Sequence, residues 1–460
     1  MIDIKEKYQF LRFIEFEDLK NWSLYFINDR TINYNESYQL EKIGNLLFRN
    51  KTAVKIADNI SYKRATIKMN AKGILLRDCV VGNKIGTKNQ FLIKSNQFLI
   101  SKIDARNGAF GIVPEILNDG IITGNFWTFD VNIEKINLFY LTLLSGSKPF
   151  QDLCQSASVG TTNRNYLQEK LFLDFKIPLP PLATQQELVK IYQDKINDAE
   201  NKEKQADELE RSIDQYLIDE LGVVKYENQE NCDTKIHFID SSQINRWGVN
   251  FLINSIRSKN ILKSNKYNMF IMGNILNINP KTTFDYNEER ELSFLPMNCI
   301  SDKYGEVIKK EKGQSKLSKG YTRFKNNDIV WAKITPCMEN GKSAIVKNLT
   351  NGFGYGSTEY HIIRNDKKPK EIDINYIYHL LRMNSIRKIA TYYFTGSAGQ
   401  QRVPADFLKL LEIPLPPLEI QEKISNHIND IKEKIKSLRL ETETLRNNAK
   451  IDFENEVFSK

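Results

Sequence analysis

The sequence predicts a duplicated chain of α/β (α+β) class: two globular domains of mixed strands and helices, each followed by one long helix. Three observations carry this. Motifs recur in the same order in the two halves. Short β-branched and aromatic runs broken by Gly, Asn and Asp fill most of each half. Each half then closes on a proline motif, after which a long charged segment follows.

The repeat is legible motif by motif. "NWSLYFIN" around Trp22 matches "RWGVNFLIN" around Trp247, and "KIGNLLFRN" around Gly44 matches "IMGNILNIN" around Gly273. "SKIDARNGAFGIV" (101 to 113) matches "AKITPCMENGKSAIV" (332 to 346) with two residues inserted in the second copy. "ITGNFWTFDV" pairs with "GYGSTEYHII", and "INLFYLTLL" with "INYIYHLLR". Finally "FKIPLPPLATQQELVKI" (175 to 191) returns as "LEIPLPPLEIQEKISNH" (411 to 427). Kept order across nearly the whole chain marks a duplication. The expected organisation is a first domain over 1–175, a proline motif and helix over 176–222, a linker over 223–240, a second domain over 241–411, and a second proline motif and helix over 412–460.

In each proline motif (Pro178, Pro180, Pro181; Pro414, Pro416, Pro417) the rings fix φ and push the preceding residues towards extended geometry. The chain is thus expected to leave each domain through a stiff connector that starts a helix. In the second helix Ile424, Ile428, Ile431, Ile435, Leu438, Thr442, Leu445 and Ala449 step by four and three, a heptad seam. The first helix has Leu188, Tyr192, Lys195, Ala199, Lys202, Ala206, Leu209 and Ile213, with two lysines interrupting. Such seams suit two helices that pair with each other. A helix from Leu188 to Leu217 is about 45 Å long at 1.5 Å per residue, comparable with the roughly 34 to 36 Å that separates DNA half-sites one helical turn apart.

Bulk properties exclude several classes. At 460 residues the chain exceeds one ordinary core, and 41% hydrophobic residues supply enough apolar material to rule out wholesale disorder. A formal charge of +9 favours a polyanionic partner. Five dispersed cysteines without a CxxC pair argue against a disulfide framework and a zinc site, so a reducing cytoplasm is expected. The start of the sequence lacks an apolar signal core and no run is long and apolar enough to span a bilayer, so no membrane association is expected. "CMENGKS" has Pro336 where a phosphate loop needs its first glycine, and "GFGYGS" misses the third glycine of a dinucleotide fingerprint. The four histidines are scattered. No catalytic or metal constellation is legible, and a nuclease with a concealed metal site remains the competing reading.

On the duplicated "IPLPPL" followed by Gln185 and Gln421, the chain resembles the specificity subunits of type I restriction-modification systems; "WAKITP … ENGKSAIV … GSTEYH" (Trp331 to His361) adds to the resemblance, while the first domain departs from it. The resemblance implies two target-recognition domains, separated by two spacer helices that pair as an antiparallel coiled coil. It implies a non-enzymatic chain that binds double-stranded DNA at two half-sites around an unread gap. The implied partners are two methyltransferase subunits and two restriction subunits. No cofactor is expected on this chain; S-adenosylmethionine, ATP and magnesium belong to those partners. A specificity subunit for a fused methyltransferase-endonuclease is the nearest alternative.

Under that reading, Lys, Arg, Asn and Gln in loops are the candidates for DNA contact. Lys102 and Arg106, with Lys333 and Lys342 in the second copy, flank Asn-Gly turns expected to form hairpin tips. The run 309–325 has seven basic residues against one acidic, giving Lys316, Lys319 and Arg323 as backbone-binding candidates beside Tyr321. In "GTTNRN" and "GSAGQQR", Asn163, Gln400 and Gln401 suit adenine, and Arg164 and Arg402 suit guanine.

Overall fold

The computed structural model describes residues 34–161, 164–224, 262–283, 290–397 and 399–458. The matching segments around Trp22 and Trp247 lie outside them, as do Asn163 and most of the expected 223–240 linker. The helices are α1 (Leu138–Gly146), α2 (Lys148–Ser156), α3 (Glu169–Asp174), α4 (Leu182–Leu221), α5 (Met272–Ile275), α6 (Ile374–Arg382), α7 (Asn384–Tyr392), α8 (Ala405–Leu410) and α9 (Leu418–Val457). None is long and apolar enough to cross a membrane, among the described residues. The chain divides into two compact units, and the cut falls inside both long helices: one unit ends at Asn201 and resumes at Glu441, and the other runs from Lys202 to Leu440.

In the first unit an antiparallel sheet runs in the order Leu47–Asn50, Phe126–Val131, Phe98–Ser101, Phe110–Ile112. The second unit repeats this order with Asn277–Ile278, Tyr360–Arg364, Ile329–Ala332 and Ser343–Ile345. The other main sheets differ. The first unit has five strands and the second has four, each including one parallel pair. Divergence is therefore concentrated in this second layer.

The retained motifs explain themselves as packing. A Cβ on Gly44 would meet the Leu173 carbonyl oxygen at 3.1 Å, and one on Gly273 would meet that of Lys409 at 2.7 Å. Glycine at these positions lets the short helices α3 and α8 approach the backbone. The same register shows in Ile43 N–H donating to Phe175 O and Met272 N–H to Leu411 O, both at 2.8 Å.

The proline motif is more than a stiff connector. Lys176–Pro178 pairs antiparallel with Leu40–Lys42, and Glu412–Pro414 with Met269–Ile271, so its first half is an edge strand that tolerates proline. A fully buried glutamine then latches the helix that follows. Gln185 Oε1 accepts from Asn137 N–H (2.8 Å), while its Nε2 donates to Lys135 O (3.0 Å) and Pro180 O (2.8 Å). Gln421 repeats the set with Asp373 N–H (3.0 Å), Glu371 O (3.0 Å) and Pro416 O (2.8 Å). Tyr140 and Tyr376 donate their hydroxyls to Pro178 O and Pro414 O, at 2.9 and 2.7 Å. Each long helix thereby starts on the N-cap of the helix beneath it, Asn137 for α1 and Asp373 for α6.

α4 and α9 have 40 residues each and pair antiparallel within both units. In the first unit Thr442 donates to Ala199 O, Lys195 pairs with Asp452, and Phe453 and Val457 enter the core with Leu188 and Val189. Tyr192 packs against that core. The seam lysine Lys195 thus bonds across the pair. In the second unit Ala206, Ile435 and Leu438 form a cluster with Leu209, Ile213 and Ile431 around it, and Ile424 and Ile428 join Leu217 and Leu221 in the main core. Arg439, 8% exposed, reaches from α9 to Asp207 (3.1 Å) and Glu210 (2.6 Å) on α4. In each unit the paired helix halves contribute to that unit's own core.

A buried ion pair holds the second unit's conserved sheet. Arg364 Nε and Nη2 donate to Asp328 Oδ1 (2.7 Å) and Oδ2 (2.6 Å), with side chains 7% and 1% exposed. Arg364 Nη2 also donates to Thr282, and Lys325 N–H to Asp328 Oδ2. At the matching place in the first unit, Gln97 Nε2 donates to Asp130 Oδ1 at 2.7 Å and Gln97 Oε1 accepts from Lys94 N–H. The duplicated fold fills one position with a charged pair in one copy and an amide–acid pair in the other.

Candidate nucleic-acid interface

The Asn-Gly turns are not projecting tips. The Asn107 and Gly108 carbonyls accept from Asn70 and Ala71 N–H at 2.8 and 2.9 Å, and Gly108 at φ 74° is buried against that backbone. In the second copy Arg382 donates to Gly341 O and Arg387 to Glu339 O, tying the turn to α6 and α7. The residues expected to enter a groove there are instead partly buried. Lys102 places its ammonium 5.5 Å from the Trp127 ring centroid, beside Arg49 over the same ring, and burial followed by the Arg49 charge pushes its pKa down. Arg106 Nη1 lies 2.7 Å from Asn165, whose amide also bonds Gly160 O. Lys342 donates to Met297 O at 3.1 Å. Lys333 is engaged through its backbone, with Glu359 O and Val403 N–H.

Those backbone bonds fix the register of the repeat at this point. Lys102 N–H donates to Asn125 O while Lys102 O accepts from Leu167 N–H; Lys333 does the same with Glu359 O and Val403 N–H. Val403 therefore corresponds to Leu167, which sets Arg402 opposite Tyr166 and Gln400 opposite Arg164. The two arginines are not equivalent. Ser158–Thr161 and Arg164–Leu167 form a hairpin, and Thr395 bridges Arg402 at the equivalent place. Asn163 lies outside the described residues, and for Arg164 only the strand backbone is described.

Arg402 does not present an open fork. Its Nε and Nη2 hold Glu359 at 2.9 Å, and Nη1 donates to Gln400 O at 2.7 Å. The guanidinium holds the Glu359 carboxyl below its usual range. Gln401 O accepts from Thr335 N–H, so the Glu359–Arg402 pair fixes the hairpin that carries the half-exposed Gln401 and exposed Gln400.

The basic run is not one loop. Glu311–Gln314 and Thr322–Lys325 are the opposite edges of the four-stranded sheet, so residues 315–321 cross its end. Lys316, Lys319 and Tyr321 are exposed on this crossing. Tyr321 packs edge-on to Phe294 at 5.5 Å and against Tyr355 at 5.5 Å. Arg323 is partly buried with Nη2 near Ser318 O, and burial lowers its pKa. An exposed ring among ammonium groups is chemistry suited to nucleotide stacking and phosphate contact.

Two of the histidines, His361 and His379, are packed into the fold. His361 bonds Val403 O and Asn279, and His379 bonds Asn429 Oδ1 of α9. Burial, then the Lys432 charge, pushes His379 down to about 3. The unfolded chain binds a proton near 6.5 that the folded chain refuses, so stability is full above that value and falls as pH drops towards 3. Acidifying from pH 7 to 5 should cost about 2 kcal/mol through His379; urea titrations of the wild type and of His379→Gln should show the shallower pH slope in the variant. Among the described residues, no group of three or more His, Cys, Asp or Glu is placed to hold a metal.

Two α/β modules with the same core sheet, each latched to one of a pair of antiparallel helices, define a class of duplicated two-module proteins. The chain belongs to the family described as the type I restriction modification DNA specificity domain, whose model matches residues 33–211 and 264–446, one match per repeat. It is 46% identical over 153 residues to the type I restriction enzyme EcoAI specificity subunit of Escherichia coli, covering 33% of this chain and 25% of that protein. The EcoEI specificity subunit of Escherichia coli is 41% identical over 156 residues, again 33% and 25% of the two chains. The matched segment thus spans about a quarter of these curated relatives. A solved chain from work on complex assembly and conformational transition of the type I R-M system has the same fold, with a TM-score of 0.58 at 12% identity over 92% of this chain and 98% of that one.

Proposed function

We propose that this chain is the DNA sequence-recognition subunit of a type I restriction-modification complex, each unit binding one half-site of a bipartite double-stranded target. The observation that carries this is the duplication of the whole reading module, from conserved sheet through glutamine latch to paired helix. Lys316, Lys319 and Arg323 would contact phosphates, and Gln400 and Gln401 would read base edges from the hairpin fixed by Arg402. Lys102, Arg106, Lys333 and Lys342 support these surfaces rather than forming tips. Catalysis, with S-adenosylmethionine, ATP and magnesium, would lie in two methyltransferase and two restriction subunits docked through the paired helices. The expected location is the cytoplasm.

Methylome sequencing of cells expressing the chain with a cognate methyltransferase should return a two-part motif with an unread gap. A continuous motif would overturn the reading. Arg402→Ala should relax one half-site only, lowering discrimination there by about 1–3 kcal/mol, and Glu359→Gln should act at that same half-site. A change at both half-sites, measured by binding to randomised duplexes, would refute the division of labour.

A further inference from the structure

The second unit contains a cavity of about 360 Å³ where α4, α6, α7 and α9 converge near Tyr304, a volume within the range of small-ligand sites. Its walls carry Arg211, Lys303, Arg382, Arg387, Lys432 and Arg439 against two acids, Glu210 and Asp214. Both acids are already committed. Glu210 accepts from Arg439 Nη2 at 2.6 Å, and Asp214 accepts the N–H of Asn384 at the start of α7 at 3.0 Å.

The cations are incompletely satisfied. Lys432 has three donors, yet its contacts are the Tyr378 hydroxyl at 3.5 Å and that ring at 5.1 Å. The nearby carboxylates of Glu306 and Glu433 are both held by Lys436, at 2.6 and 3.0 Å. Arg439 holds Asp207 and Glu210 through Nη2, with Glu203 3.8 Å from its Nε, but its Nη1 is buried without a hydrogen-bond partner. Arg382 and Arg387 spend donors on the carbonyls of Gly341, Asp302, Glu339 and Arg382 itself, which satisfy geometry without cancelling charge. Burial, then Arg382, pushes Lys432 down to about 8. Like charges gathered in a partly dry cavity are unfavourable unless an anion joins them.

We propose that this cavity is a binding site for a phosphate-type oxyanion, held by Lys432 and the guanidinium groups of Arg382, Arg387 and Arg439. A tetrahedral oxyanion offers acceptors to donors arriving from several walls, which a planar carboxylate does not. Neither the relatives nor the DNA-reading surface assigns this site.

The test uses the full chain with inorganic phosphate and tripolyphosphate as probes, read by calorimetric titration and thermal unfolding. Tripolyphosphate should raise the melting temperature of the wild type and of Lys432→Arg. Lys432→Met should be at least as stable as the wild type in phosphate-free buffer, because it removes an uncompensated ammonium, and should bind tripolyphosphate about tenfold or more weakly. Equal binding by Lys432→Met, no response from the wild type, or a Lys432→Met less stable than the wild type without phosphate would each overturn the site. Displacement of tripolyphosphate by duplex DNA would assign the site to a backbone phosphate, and no displacement to a free phosphate ester; both keep the oxyanion chemistry.

Discussion

Arg364→Met should destabilise the second unit by about 3–5 kcal/mol, the cost of leaving a buried partner charge uncompensated. Asp328 is 1% exposed, and its two oxygens would keep only the Lys325 N–H among the bonds seen in the structure. The Thr282 hydroxyl would lose its donor as well. Asp328→Leu together with Arg364→Met should recover most of the loss, since apolar groups of similar volume often replace a buried ion pair without penalty. Unit-resolved hydrogen exchange is the appropriate readout, because two units need not unfold as one transition. Protection should fall in the second unit's conserved sheet and stay unchanged in the first. Equal stability of the single variant and the wild type would show that water reaches Asp328.

Gln421→Leu is the second large effect. It strands the buried Pro416 carbonyl and the part-buried Asp373 N–H and Glu371 carbonyl, and an unsatisfied buried group costs about 1–3 kcal/mol. A loss of about 2–3 kcal/mol is expected in the second unit. Gln185→Leu should do the same in the first unit and leave the second intact. Gln→Glu at either position should be nearly as damaging, because a carboxylate cannot donate to the two carbonyls. Urea unfolding with limited proteolysis at the start of each long helix separates these outcomes; resistance of the Gln421→Leu helix start to cleavage would count against the latch.

The duplication and the coiled coil were legible because both leave one-dimensional traces. Gly44 and Gly273 are kept by a close backbone approach, and the four-and-three steps of α9 follow from its buried stripe. The Arg364–Asp328 pair left no such trace, since its members meet only when Tyr360–Arg364 lies beside Ile329–Ala332. Charge density marked the 309–325 run without revealing that strands place its ends on opposite sheet edges. Grouping Arg164 and Arg402 as guanine candidates followed local composition. Counting back from the two proline motifs would have set Arg402 against Tyr166, a signal already present in the sequence. Glu359 was visible in "GSTEYH", but its hold on Arg402 depends on Lys333 bringing two segments together.

The first unit's core includes Phe453 and Val457, and Asn35 N–H donates to Val457 O at 3.1 Å. During synthesis, then, the module encoded first stays unfinished until the far end of α9 is translated, whereas the module encoded later lacks nothing once α9 is half made. Folding on the ribosome should run against the order of the gene, and a nascent chain stalled before residue 453 would expose the apolar floor of its own beginning.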